Sequence, residues 1–167
     1  MPEKETIRKA RKDKAEGKAP STQAGEFVHE EIEHVRRGKH GARSTRQAIA
    51  IGLSKARRAG VELPPPPKGK ASAKTRESAK RDLRKGRAGA KPSAKRSRAV
   101  EGALKREGKA AASPAALSRQ ASSAARKRSA AERHRAAVKA VKTKGAAGRH
   151  RAAVKAAATR KRRARAV

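Results

Sequence analysis

The sequence predicts a mostly disordered chain with α-helical segments: a small two-helix hairpin over about residues 24–59, then a basic Ala-, Arg- and Lys-rich tail of latent helices. Three observations predict it. First, 48 Lys and Arg stand against 14 Asp and Glu in 167 residues, a formal net charge of +34. Strong charge with little apolar surface marks chains that bury too little to offset the entropy of ordering. Second, Leu, Ile, Val and Phe together number 18, so the 35% hydrophobic content is mostly Ala. That lies well under the ~20% below which a highly charged chain reads as disordered. Third, nine of those 18 crowd into residues 21–63: Phe27, Val28, Ile32, Val35, Ile49, Ile51, Leu53, Val61 and Leu63.

Taken in order, residues 1–20 form a polar flexible arm, whose TIRKARKDKAEGK is expected to make a fraying helix supported by acid–base pairs at helical spacing. Residues 21–63 form the hairpin. Ser21 and Thr22 are helix-capping types, and Val28, Ile32 and Val35 repeat at i, i+4, i+7. Glu26, Glu30 and Glu31 lie toward the N-terminal half, Arg36 and Arg37 close the last turn, and Gly38 is the stop. Ser44 and Gln47 have the spacing of a capping box for the second helix. Ile49, Leu53 and Ala56 line one face of that helix, and Gly60 followed by the proline run ends it. Phe27, Val28, Ile32 and Val35 are expected to meet Ile49, Leu53 and Ile51 across the seam. So small a hairpin is marginal alone, and a homodimer or a bound partner is expected to complete it.

Residues 64–70 read as a stiff polyproline linker, and residues 71–167 as a basic low-complexity tail. Within the tail, three segments open at Ser72, Ser93 and Ser113, each closing near a Gly. Ser113 and Pro114 are placed as N-cap and first helical residue. Large apolar residues are too sparse to pack these helices on one another, and like charges at i, i+4 oppose them, so ordering is expected only when a polyanion neutralises the charge. RHRAAVKAV at 133–141 recurs as RHRAAVKAA at 149–157.

The stretch HEEIEHVRRGKHGARSTRQAIAIGLSKARRAG resembles a small bacterial helical-hairpin domain family of unknown function. Its members share a His- and Glu-bearing helix, a Gly- and Lys-containing turn and a second helix reading Q-A-I-A-I-x-L-S-x-A-R. The resemblance covers about 40 of the 167 residues and implies no catalytic role. The basic remainder is similar in composition to linker-histone and bacterial histone-like tails.

Catalytic and metal signals are weak. No Cys is present, which excludes disulfides, thiolate chemistry and Cys-ligated metals. His29 and His34 resemble the zinc-binding H-E-x-x-H helix, but stand five apart and diverge by about 140°. A looser set of His29, Glu33, His34 and His40 reads instead as a solvated acidic face. No enzyme, cofactor or metal is expected. No apolar run reaches the ~18 residues of a membrane span, and MPEKETIRKARKDK carries no signal-peptide core. A cytoplasmic, nucleoid location is expected, without a membrane.

Charge therefore decides the functional expectation. Residues 64–167 hold 33 basic and 5 acidic groups, and cations in that excess bind polyanions by releasing counterions. A nonspecific DNA-binding, nucleoid-associated or histone-like protein is expected, neutralising and compacting duplex DNA. The expected phosphate contacts are Arg43, Arg46, Arg57 and Arg58 in the hairpin. In the tail they are Arg126, Lys127, Arg128, Arg133, Arg135, Lys139, Arg149, Arg151, Lys155, Arg160, Lys161, Arg162, Arg163 and Arg165. One Phe and no Tyr or Trp argue against base-stacking recognition of single strands. The alternatives are an RNA- or ribosome-associated basic protein, and a protein-interaction or stress protein acting through the hairpin.

Overall fold

The computed structural model describes residues 2–90 and 93–164, apart from the side chains of Lys144 and Arg163. It overturns the expectation of a mostly disordered chain. The described residues are all-α: α1 Lys4–Ala15, α2 Pro20–Arg37, α3 Thr45–Arg58, α4 Ala73–Arg87, α5 Ala94–Lys105, a 3-10 turn at Ala110–Ala112, α6 Pro114–Arg126 and α7 Ala130–Ala164. The chain divides into two compact units, residues 1–120 and 121–167.

Local signals set the helix ends. Gly38 closes α2 in the left-handed region at φ 74°, and its N–H reaches back to the last turn. Ser44 Oγ accepts from the Gln47 N–H at 3.2 Å, while the Gln47 amide oxygen accepts from the Arg43 N–H at 2.8 Å. Ser72, Ser93 and Ser113 accept from the N–H three residues on, capping α4, α5 and α6. The tail thus forms helices rather than a disordered polycation. Strong helix formers fill its interiors, and each capped start satisfies backbone donors that otherwise fray the first turn.

The first unit is organised around the α2/α3 hairpin, whose seam differs from the expected one. Phe27, Ile32 and Val35 are buried on α2, but the buried stripe on α3 is Ala48, Gly52 and Ala56; Ile49, Ile51 and Leu53 are half-buried. A methyl group added at Gly52 would lie 2.7 Å from Val28 Cα and 3.0 Å from the Phe27 carbonyl oxygen, so the helices touch backbone to backbone. Of the 13 buried apolar residues among those described, eight are Ala: 10, 24, 42, 48, 56, 79, 111 and 112. Counting only large apolar residues misses this core, because small residues let backbones approach and supply contact by proximity.

Two clusters fill the unit. Phe27, Ala24 and Ala56 meet Ala10 of α1 and Val61, with Ile7, Leu53 and Leu63 around them. Ile32, Val35, Ala42 and Ala48 meet Ala111 and Ala112, with Val28 and Leu117 alongside. The first 20 residues are therefore not a loose arm: α1 docks on α2 and buries Thr6, Ala10 and Asp13. The proline run does not hold its neighbours apart either. Arg57 donates to the carbonyls of Leu63 and Pro64 at 3.0 and 3.2 Å, and α4 returns to α3, where Ser54 Oγ donates to Asp82 at 2.7 Å. Gly86 of α4 lies against the Arg57 carbonyl, where a side chain would collide. Arg87 grips Glu62 through two donors at 3.1 and 2.6 Å. On the other side Gly41 and Ala42 donate to the carbonyls of Leu104 and Gly108 at 2.9 and 3.0 Å. Thr45 Oγ1 and Arg36 Nε donate to the Ala111 and Ala112 carbonyls at 2.6 and 3.0 Å.

In the second unit, Ser129 and Glu132 form a reciprocal capping box, at 3.1 and 2.8 Å, that starts α7. The S-x-x-E spacing was present in the sequence, where one continuous segment from Ser113 was expected. Within α7 the helical path breaks at Gly145 (φ 62°, ψ −177°). The two copies of RHRAAVKA lie on either side of that break. Among the described residues, no helix is long and apolar enough to cross a membrane.

Gly52→Ala should lower unfolding free energy by about 1–3 kcal/mol as the hairpin parts. Gly25→Ala, mid-helix with nothing within 4 Å of the new methyl group, should raise it by roughly 0.5–1 kcal/mol; urea denaturation followed by circular dichroism measures both. The Arg87 hydrogen bond holds the Glu62 pKa below its ordinary 4.5, so this pair stabilises the fold above that pH and ceases to as pH falls through the lowered value. Melting temperature should accordingly drop more steeply on acidification in the wild type than in Arg87→Gln.

Candidate functional site

Charged side chains gather in two settings, exposed helix surfaces and a buried knot inside the first unit. On the surface of that unit, Arg43, Arg46 and Arg58 are exposed, and Arg46 Nε donates to Gln120 at 3.2 Å. Arg57 is placed differently, 7% exposed. With its guanidinium committed to two carbonyls, it fastens the chain after α3. Burial lowers its pKa, opposed by the charge of Asp82. Helical phase separates it from Arg58, which points outward one residue later.

In the second unit, Arg126, Lys127 and Arg128 are exposed around the end of α6. So are Arg133, Arg135 and Lys139 before Gly145, and Arg149, Arg151, Lys155, Arg160, Lys161 and Arg162 after it. The phosphate contacts expected at Arg163 and Arg165 lie outside the described side chains and residues. At about 100° per residue, Arg135, Lys139 and Lys142 fall within about 60° of one another, and Arg151, Lys155 and Arg162 repeat the stripe in the second half. Arg133 and Arg149 instead donate to the Arg128 and Gly145 carbonyls, each at 3.2 Å.

The buried knot was not legible as such. The expected solvated acidic face is instead largely enclosed: Glu31 is 0% exposed, Glu30 6% and His34 9%. Lys55, one turn before the end of α3, reaches Glu31 Oε2 at 2.6 Å and Glu30 Oε1 at 3.7 Å. Glu3, just before α1, donates its N–H to Glu30 at 3.1 Å. Its carboxylate meets Lys39 Nζ at 2.7 Å and His34 Nε2 at 2.9 Å. Hydrogen bonds from Lys39 first and His34 second bring the Glu3 pKa down from 4.5 to about 2. His40 stacks edge-on to His34 with ring centroids 6.0 Å apart, and its Nε2 lies 3.3 Å from Glu31 Oε1. Glu31, His34 and His40 each offer one metal-ligating atom within 4.8 Å of the others. His29 is exposed on another side of α2 and takes no part.

Residues 21–68 match a family described only as a family of unknown function (DUF6496). That span contains α3, all of α2 but Pro20, and every residue of the buried knot except Glu3. No curated protein and no solved structure matches the chain.

Lys55→Met should strand the Glu31 carboxylate in the core and cost about 3–5 kcal/mol. Pairing it with Glu31→Met should recover much of that loss, since a buried ion pair exchanged for apolar groups is often neutral. Chemical denaturation of the two single variants and the double variant measures the coupling.

Proposed function

We propose that this protein binds duplex DNA without sequence specificity, neutralising and compacting it through the cations of its second unit. The observation that carries the reading is a charge asymmetry. Residues 121–167 hold 16 Lys and Arg against a single acid, Glu132, whereas residues 1–120 hold 32 Lys and Arg against 13 acids, so the excess is far steeper in the second unit. Cations there cannot be balanced within their own unit, and the described ones are exposed, on the helices or, for Lys127 and Arg128, on the turn between them. Polyanionic phosphate meets that need, and Arg suits it through bidentate contact.

The stripe Arg135–Lys139–Lys142 and its counterpart Arg151–Lys155–Arg162 would follow successive phosphates, one on each side of Gly145. Arg43, Arg46 and Arg58 would add contacts from the first unit, while Arg57 keeps its place in the fold. Ten phosphate contacts give a counterion-release slope of about −9 in log affinity against log salt, and roughly 10³ to 10⁵ in affinity between 50 and 200 mM. The only aromatic side chain besides His, Phe27, is 1% exposed, which leaves no stacking platform for single strands and favours duplex over single-stranded RNA. This role puts the protein with cytoplasmic DNA.

Binding of the full chain to unrelated duplexes should be alike in affinity and should weaken steeply with salt. The variant Arg135→Gln/Lys139→Gln/Arg151→Gln/Lys155→Gln should bind every duplex more weakly and reduce the slope by about 3 to 4. Fluorescence anisotropy across a salt series measures both. A structured RNA that wins in direct competition would move the reading to an RNA-associated protein, and affinity indifferent to salt would remove it.

A further inference from the structure

We infer that Glu31, His34 and His40 form a binding site for a divalent transition cation of the zinc class, independent of any contact with nucleic acid. Three observations converge on it. The first is spacing: Glu31 and His34 stand at i, i+3 on α2, the Glu-x-x-His interval that sets a carboxylate and an imidazole on one helix face. The left-handed turn at Gly38 then brings His40 back over that face.

The second observation is an unmet need. Glu31 Oε1 is buried and has no hydrogen-bond partner, and the same holds for Glu30 Oε1 beside it. A buried carboxylate oxygen left without a donor is costly. His40 does not supply one in its neutral form. Its Nδ1 lies 3.0 Å from the Gly41 carbonyl oxygen and donates to it, which fixes the Nε2 lone pair toward Glu31 Oε1 at 3.3 Å. Two lone pairs facing at that distance repel unless a cation stands between them. A histidine that donates through one nitrogen to a carbonyl while presenting the other is the usual orientation for a metal ligand.

The third is charge. Glu3, Glu30 and Glu31 face Lys39 and Lys55, three carboxylates against two ammonium groups, with the His34 and His40 rings among them. Two nitrogens and a carboxylate oxygen are a donor set that suits zinc and its neighbours rather than magnesium or calcium. The ligand atoms lie within 4.8 Å of one another, so the widest pair would close by at most about 1.5 Å to reach the spacing of tetrahedral coordination, which His40 Nε2 and Glu31 Oε1 already have at 3.3 Å. His34 Nε2, which donates to Glu3 Oε1 at 2.9 Å, would exchange that hydrogen bond for the ion, and Glu30 Oε1 at 3.9 Å or a water would take the fourth position. The ion would tie α2 to the turn that carries Gly41 and Ala42, and through them to the chain around Leu104 and Gly108.

The test is a titration of the full chain, freed of metal by chelator and dialysis, with Co²⁺ followed by absorption and with Zn²⁺ against a chromophoric chelator. One ion should bind per chain, Co²⁺ should give the intense visible bands of a four-coordinate site, and Zn²⁺ should raise the melting temperature. His40→Gln, on a half-buried turn, should keep the wild-type circular dichroism and lose at least tenfold in zinc affinity. His34→Gln should lose as much where it folds. His29→Gln and the double variant His134→Gln/His150→Gln should bind as the wild type does. Absence of stoichiometric binding, undiminished affinity in His40→Gln, or loss in the exposed-histidine variants would each overturn the site.

Discussion

The fold rests on backbones that touch. Where α3 crosses α2, Gly52 faces Val28 and the Phe27 carbonyl, and Ala48 and Ala56 extend the flat stripe a turn to either side. Gly86 repeats the device where α4 meets the end of α3, and Gly41 where the hairpin turn meets Glu107 and Gly108. A chain with 18 large aliphatic and Phe residues cannot fill a thick core. It removes the space instead, so that eight alanines become sufficient packing. Dispersion at contact distance replaces buried volume, and each such contact tolerates no larger side chain.

Close approach also explains why carboxylates are found inside. With α2 and α3 drawn together, Glu30 and Glu31 on one helix lie under Lys55 on the other, and Glu3 and Lys39 close over His34. Burial makes Glu30 and Glu31 dependent on Lys55, since an unpaired charge there costs far more than a surface pair returns. The knot accordingly fixes four separate pieces of chain: the residue before α1, helix α2, the turn after it and helix α3.

The acids are apportioned by the same logic. The first unit holds 13 of the 14 and uses several as internal fasteners, from Glu3–Lys39 to Glu62–Arg87. The second unit has one acid, and that one serves in the capping box of α7. The first unit thus pairs many of its acids with its own cations, whereas the second has almost none to pair.

Features held within four residues were legible in the sequence. The Ser44 and Gln47 cap, the Gly38 stop, the starts at Ser72, Ser93 and Ser113 and the hairpin itself follow from hydrogen bonds and periodicities that a helix turn contains. Composition, too, determined the excess of cations in the C-terminal part. What the sequence misrepresented depends on partners remote along the chain. Nothing local distinguishes Ala48–Gly52–Ala56 from a solvated alanine face, Arg57 from Arg58, or Glu31 from Glu33. Only the arrival of α2, of the chain at Leu63 and of Lys55 decides those cases. Order in place of disorder was settled there as well, because the value of a small residue lies in how near the opposite backbone comes, a distance that tertiary structure alone sets.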